Sequence, residues 1–269
     1  MIIFVIPAYN EEKNIPLLLE KTKKKMEELK YPYKAIVVND GSTDKTEQIV
    51  ESYKNQMPVE VVSHYPNKGV EKTFRKGFEA ALNAAENDDI IVTKEADNTS
   101  DLNILNEMII RVEKGSDVVL ASCYAKNGSI ENTTLNRIFF SWCANIILKT
   151  FFFIPDVNTY SSFYRAFNAD MLKRAFVAYE GNLLTQDGYV CVVEMLIKLS
   201  RLNLKITEVP MVLYSDRRKG NSKMNVKKTI IGYLKLLWNE LWRDRKIDSH
   251  ITNRFTYSIK NARCIENKC

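Results

Sequence analysis

DDIIVTKEADNTSD, residues 88–101, runs from an apolar segment directly into acids. Ile90, Ile91 and Val92 are β-branched and suit a buried strand, and Glu95, Asp97 and Asp101 follow within a few residues. An isolated buried carboxylate is costly, so acids at such a strand end lie at the surface, pair with another group, or hold a cation.

Working outward, the chain up to about residue 122 alternates short apolar runs with helical patterns. IIFVIPAY and KAIVVND read as strands, separated by a Glu-, Leu- and Lys-rich helix over 11–30. STDKTEQIVESYKNQ reads as a helix opened by a Ser/Thr/Asp cap, VEVVSH as a third strand and 70–86 as a helix. DIIVTKE is a fourth strand, 101–114 a helix and DVVLAS a fifth strand. Strict alternation predicts an α/β fold with a mostly parallel sheet flanked by helices. Ligands of such sheets bind beyond the carboxyl ends of the strands, so PAYNEE, NDGSTD and KEADNTSD should meet on one rim.

The second half is mixed. NRIFFSWCANIILKTFFFIP reads as helical, VNTYSSFYRAFNADMLKRAF as a short strand entering a helix, 186–201 as a helix and KITEVPMVLY as a late strand. Residues 225–245 predict an amphipathic helix, with Val226, Ile230, Leu234, Leu237, Leu241 and Trp242 on one side and Lys227, Lys228, Lys235, Arg243 and Arg245 elsewhere. This divides the chain into 1–224, with a first half to 122 and a second from 123, and a C-terminal amphipathic helix and polar tail over 225–269.

Bulk properties exclude several classes. A chain of 269 residues can bury a large core, and its ordinary composition argues against disorder, collagen and repeat arrays. A net charge of +6 fits a phosphate-bearing ligand or an anionic membrane surface. Five cysteines without a CxxC pair, and two histidines, argue against a zinc site or disulfide framework and for a reducing compartment. The N-terminus reads as a strand rather than a signal peptide, and no run of ~20 apolar residues supports a spanning helix. Basic residues are dispersed among acid-rich helices, so no nucleic acid partner is expected.

In residues 137–149 the polar residues Arg137, Ser141, Asn145 and Lys149 recur every fourth position in an otherwise apolar sequence, drawing one stripe along a helix. Two readings stay open: the stripe is the helix's solvent face, or Arg137 and Ser141 grip a phosphate while the apolar faces meet the core and a lipid chain.

VIPAYNEE, VVNDGSTDKT, NKGVEKTFRKGFEAA, EAD and EVPMVLYSDRRKGNSKM follow one another in that order over roughly residues 1–240. Together they resemble the family 2 glycosyltransferases of the GT-A (Rossmann-like) fold, in particular the dolichyl-phosphate mannose synthase and polyprenyl-phosphate glycosyltransferase branch. The resemblance implies inverting transfer of a sugar from a nucleotide-sugar donor, UDP- or GDP-linked, to a polyprenyl (dolichyl or undecaprenyl) phosphate acceptor. It places the nucleobase and ribose against Pro7, Ala8, Tyr9, Glu11 and Asp40, and the diphosphate near Glu95. It also implies Mg²⁺ or Mn²⁺ bound by Asp97, with Glu95 as second ligand; residues i and i+2 of an extended segment point the same way and can address one ion. For the acceptor phosphate it implies Arg137 and Ser141, and, from the pattern Arg-x-x-Gly-x-Ser-Lys, Arg217, Ser222 and Lys223. Asp97, Arg217, Arg137 and Ser141 are the expected catalytic set.

A phosphomonoester, with a second pKa of about 6, is already ionised at neutral pH and attacks without a general base, whereas a hydroxyl acceptor needs one. The chain departs from the family at Asn39, where an acid is common, at Ser162-Phe163-Tyr164-Arg165, where Gly-Phe-Arg is common, and after LAS, where no arginine follows. A family 2 enzyme acting on a glycan hydroxyl and a non-catalytic nucleotide-binding relative are the alternatives. The expected location is cytoplasmic, peripheral at a membrane surface, on its cytoplasmic face.

Overall fold

The computed structural model describes residues 1–220, 222–241 and 249–258. In chain order its elements are β1 (Ile2–Ala8), α1 (Ile15–Leu29), β2 (Tyr33–Asp40), α2 (Thr46–Ser52), β3 (Val59–His64), α3 (Val70–Ala84), β4 (Ile90–Thr93), α4 (Leu105–Glu113) and β5 (Val118–Ser122). There follow β6 (Ser129–Glu131), α5 (Leu135–Phe151), β7 (Arg165–Asn168), α6 (Ala169–Ala178), α7 (Val190–Ser200), β8 (Ile206–Pro210), β9 (Val212–Tyr214) and α8 (Val226–Leu241). Residues 249–258 are also helical.

Seven strands form one sheet in the order β3-β2-β1-β4-β7-β5-β8. All neighbours are parallel except β7, which runs antiparallel to both β4 and β5. The expected α/β sheet is therefore present, with one reversed strand from the second half of the chain inside it. Alternation along β1 sets the layers. Ile2, Phe4 and Ile6 join Leu18 and Leu19 of α1 and Met108 of α4 on one face, while Ile3 and Val5 join Phe74 and Phe78 of α3 and residues of α6 and α7 on the other. Burial on both faces explains why the strands read as continuous apolar runs.

Several boundaries differ from the sequence expectation, each for a local reason. The first helix begins at Ile15 because Asn10 turns through the left-handed region (φ 51°) and Pro16 fits the first turn, where its missing N–H costs nothing. The second helix spans only Thr46–Ser52 and has no side-chain cap of its own; Asp44 instead closes a turn by accepting from the Thr46 N–H at 2.9 Å. The helix expected from 186 starts at Val190, after Gly188 at φ 66°. KITEVPMVLY is two strands, broken at Met211: β8 pairs with β5, while β9 pairs with the unforeseen β6 in a separate two-stranded sheet. Ser100 bridges to Leu213 of β9, tying the acidic segment to that small sheet.

Of the expected C-terminal helix, Val226–Leu241 is helical; Trp242, Arg243 and Arg245 lie outside the described residues. The tail, expected to be polar, contributes Phe255 to the core, and Arg174 donates to the Ser258 carbonyl. Cys123, Cys143 and Cys191 are free, and among the described residues no helix is long and apolar enough to cross a membrane.

Close approach of α3 to the sheet depends on Gly77, where an added Cβ would lie 2.5 Å from Val5 Cγ1 and 2.9 Å from Val38 Cγ2. Gly77→Ala should therefore destabilise the fold by about 1–3 kcal/mol through overpacking, despite alanine's better helix propensity. Urea titration checks it: the midpoint falls while the m-value stays constant.

Candidate active site

β1 lies between β2 and β4; its connection leads to β2 on one side while the connection leaving β4 leads towards β5 on the other, which opens a crevice at the carboxyl ends of these strands. A cleft of about 240 Å³ occupies it. Its walls include Pro7, Ala8 and Tyr9 at the end of β1, Glu11 beyond it, Asp40 at the end of β2, and Glu95, Ala96 and Asp97 beyond β4. Arg137 of α5 and Ser222 and Lys223 also line it. Ten of the twelve residues singled out in the sequence thus meet in one cavity.

The other two lie elsewhere. Ser141 is one turn along α5 and faces the Tyr124 hydroxyl. Arg217 stacks its guanidinium 3.5 Å from the centroid of the Tyr214 ring. Its neighbour Arg218 enters the cleft instead and donates through Nε to Asp97 Oδ2 at 2.8 Å, with Nη2 on the same oxygen. Sequence reasoning missed Arg218 because one loop conformation sends adjacent side chains to opposite sides, and a tandem of arginines does not say which goes where. Phe163, Tyr189 and Thr73 were missed as well. An aromatic chain from the core positions the first two: Phe74 lies 5.4 Å from Phe163, which meets Tyr189 edge-on at 5.4 Å.

The acids at the end of β4 sit in unequal surroundings. Burial would raise the carboxyl of Asp97, but Arg218 and the N–H and hydroxyl of Thr99, at 3.0 and 2.7 Å, hold it below the usual aspartate range. Glu95 is raised by burial and by the charge of Asp97, against the opposing pull of Lys94, of its own backbone N–H and of Ser100 Oγ, which donates to it at 2.9 Å. Lys94 is wholly buried and lowered to about 8 by desolvation, with Glu95, Asp97 and Asp101 opposing that shift. It donates to the Ser100 carbonyl at 2.8 Å and lies 4.4 Å above the Tyr164 ring. Tyr164, fully buried beneath Lys94, is therefore a packing residue directly preceding β7, where Arg165 pairs with Thr93.

Two carboxylates two residues apart, one with its ionised form disfavoured, suit a hard divalent cation completed by phosphate and water oxygens. Among the described residues no group of three or more His, Cys, Asp or Glu side chains is gathered for a metal. Asp97 and Glu95 are the two carboxylates this strand end would offer such a site, the number Mg²⁺ commonly takes beside substrate phosphates.

The remaining carboxylates of the cleft are engaged too. Asp40 accepts from the backbone N–H groups of Lys68 and Gly69, at 2.8 and 2.9 Å, and lies 3.2 Å from His64 Nδ1. Glu11 takes Asn14 Nδ2 at 2.6 Å and Lys223 Nζ. Asp40 thus anchors the connection from β3 to α3 while presenting one edge to the cavity.

The stripe on α5 resolves against the solvent-face reading. Asn145 is buried and accepts the Tyr160 N–H at 2.9 Å, and Lys149 reaches Asn158 Oδ1 at 2.8 Å. From Ser141 on, the polar side thus turns towards the protein, Arg137 stays exposed at the cleft, and Phe139, Phe140, Trp142, Ile146, Ile147 and Phe151 are exposed on the other side. On α8, Ile230, Ile231, Leu234 and Trp238 are exposed, while Leu236 and Leu237 are buried.

Comparison with known proteins agrees with this geometry. The profile described as Glycosyl transferase family 2 matches residues 3–176. A dolichol-phosphate mannosyltransferase of Pyrococcus furiosus is 28% identical over 244 residues, 91% of this chain; the chain spans only 64% of that relative's length. An undecaprenyl-phosphate mannosyltransferase of Micrococcus luteus is 26% identical over 83% of this chain and 87% of its own. Among solved structures, S. aureus TarS 1-349 in complex with UDP-GlcNAc has a TM-score of 0.57 at 20% identity, covering 95% of this chain and 71% of its own. Mycobacterium tuberculosis glucosyl-3-phosphoglycerate synthase, crystallised with Mn²⁺, UDP and phosphoglyceric acid, has a TM-score of 0.58 at 16% identity, covering 95% and 78%. These structures share the fold.

Asp40→Asn replaces one charged acceptor by an N–H₂ group facing other donors. It should cost about 2–3 kcal/mol, the range for hydrogen bonds to charged groups, read as a lower thermal midpoint.

Proposed function

This chain belongs to glycosyl transferase family 2, and from that premise we propose that it transfers a sugar, with inversion, from a UDP- or GDP-sugar to a polyprenyl phosphate at a membrane surface. The observation that carries the proposal is the pairing of an acid-lined cleft with an arginine on a helix whose outer faces are apolar. Arg137 lines the same cavity as Asp97, and the turns that follow it on α5 expose aromatic and branched side chains. A phosphate on a long hydrocarbon chain is the acceptor such a surface suits. The names of the Pyrococcus and Micrococcus relatives point the same way.

In this reading Pro7, Ala8, Tyr9, Glu11 and Asp40 hold the nucleoside, and Asp97 and Glu95 hold Mg²⁺ or Mn²⁺ against the diphosphate. When bound, the cation neutralises charge developing on the leaving group. Arg137, with Ser222 and Lys223, draws the acceptor phosphate to the cleft, and Arg217 and Ser141 stand within the same two segments. Residues 1–122 thus serve the donor, 123–224 the acceptor, and the apolar faces of α5 and α8 rest on the cytoplasmic face of a bilayer as interfacial helices. Each of the four carboxylates in the cleft already has a partner, which favours an acceptor that arrives ionised over a hydroxyl that needs a base.

Calorimetric titration of UDP and GDP, with and without Mn²⁺, tests the donor side. One nucleotide should bind, with metal tightening binding in the wild type and not in Asp97→Ala. Absence of binding by either nucleotide would sink the proposal. On the acceptor side, sugar should pass to a polyprenyl phosphate, with Arg137→Ala raising the acceptor KM by roughly tenfold or more, as loss of a charge-assisted phosphate contact predicts. Transfer to a glycan hydroxyl alone would replace this reading with the soluble-acceptor alternative. Vesicles containing anionic lipid should co-sediment the protein, and Phe139→Asp with Trp142→Asp should abolish it, since each aspartate reverses an apolar insertion worth ~2 kcal/mol.

A further inference from the structure

Asn14 lies outside the cleft lining, yet its side chain joins three parts of it. The residue is 2% exposed and precedes α1 without capping the helix. Its Oδ1 accepts the Lys219 N–H at 2.9 Å, and its Nδ2 donates to the Lys219 carbonyl at 3.0 Å and to Glu11 Oε2 at 2.6 Å. Its own carbonyl accepts Asn98 Nδ2 at 2.9 Å, next to Asp97. A primary amide offers one oxygen and two N–H groups, and this one uses all of them. It grips the main chain of a residue 205 positions away much as a neighbouring strand would.

Ionic contacts flank this grip on both sides. Arg218 holds Asp97, and Lys223 holds Glu11 and the carbonyls of Tyr9 and Asn10. Under the reading proposed above, the cation would take Asp97 and the nucleoside would take Glu11, so both ionic contacts exchange when the donor binds. The Asn14–Lys219 pair uses no group that the donor requires. We infer that Asn14 is a positioning residue: a neutral pin that keeps residues 217–219 against the cleft after Arg218 and Lys223 release their carboxylates, leaving the freed guanidinium beside the phosphates. The exchange rests on the donor reading; the pin rests on the two Lys219 hydrogen bonds alone.

Trypsin cleaves after arginine and lysine, so cuts at Arg217, Arg218 and Lys219, mapped by mass spectrometry, report the freedom of this segment. In Asn14→Ala without nucleotide, cleavage there should be roughly tenfold faster than in wild type, because proteolysis follows the population of the opened segment. In wild type, saturating nucleotide with Mn²⁺ should leave these cuts within about twofold of the ligand-free rate, whereas in Asn14→Ala it should accelerate them further. Equal cleavage of variant and wild type overturns the inference, as does a wild-type segment that nucleotide and Mn²⁺ open as far as the substitution does.

Asn14→Asp keeps the acceptor for the Lys219 N–H and a residue suited to opening a helix, and it loses both donations. Should Asn14→Ala unfold, Asn14→Asp carries the test: faster cuts confined to 217–219 support the pin, and cuts scattered along the chain overturn it. If calorimetry finds no nucleotide binding, the donor reading fails while the ligand-free comparison still decides the pin.

Discussion

The charge balance at the end of β4 constrains everything around it. Two carboxylates leave the sheet two residues apart, in a setting where an unpaired charge costs several kcal/mol. Asp97 is kept ionised by Arg218, 121 positions away, and by Thr99, while Glu95 has only its own backbone N–H, the Ser100 hydroxyl and the nearby Lys94 against its burial. The segment after β9 is therefore held across the cleft by electrostatics, and the start of α1 meets it through Asn14. Of the two, Glu95 bears the larger burial penalty, opposed by Lys94 and by the Ser100 hydroxyl.

The same logic of unequal surroundings runs through α5. An ordinary amphipathic helix turns its polar face to water, whereas α5 turns Asn145 and Lys149 inward to satisfy the loop at 158–160 and leaves aromatic rings outside. Glu208 braces that loop from behind, accepting the N–H groups of Asn158 and Thr159 at 2.7 Å each. Fixing the loop by polar contacts is what frees the apolar side of α5 to face outward, with Arg137 at the end nearest the cleft. A helix with an exposed apolar face thus carries an arginine into a cleft of acids and arginines, the combination from which a substrate polar at one end and hydrocarbon at the other is proposed.

Much of this was legible in the chain. Continuous β-branched runs at Ile2–Ala8, Tyr33–Asp40 and Ile90–Thr93, separated by helical periodicity, require a sheet covered on both faces, and the acids at their ends require a common rim. Most of the ten candidate residues that meet there, Pro7, Ala8, Tyr9, Glu11, Asp40, Glu95 and Asp97, do so because each is set by its position at a strand end or just beyond it. Where local chemistry overrides periodicity, the reading slipped: Pro16, Gly188 and the break at Met211 moved boundaries by a few residues.

Sequence by itself determined the strand ends, their acids and the four-residue spacing on α5, because each follows from backbone periodicity within one element. Only the tertiary structure decided which way the stripe on α5 faces, that Arg218 rather than Arg217 meets Asp97, and that the amide of Asn14 grips Lys219. Each of these depends on pairing groups distant in the chain, some of them more than 100 positions apart, in a shared low-dielectric space. The energy of such a pair comes from burial and geometry that no local pattern encodes.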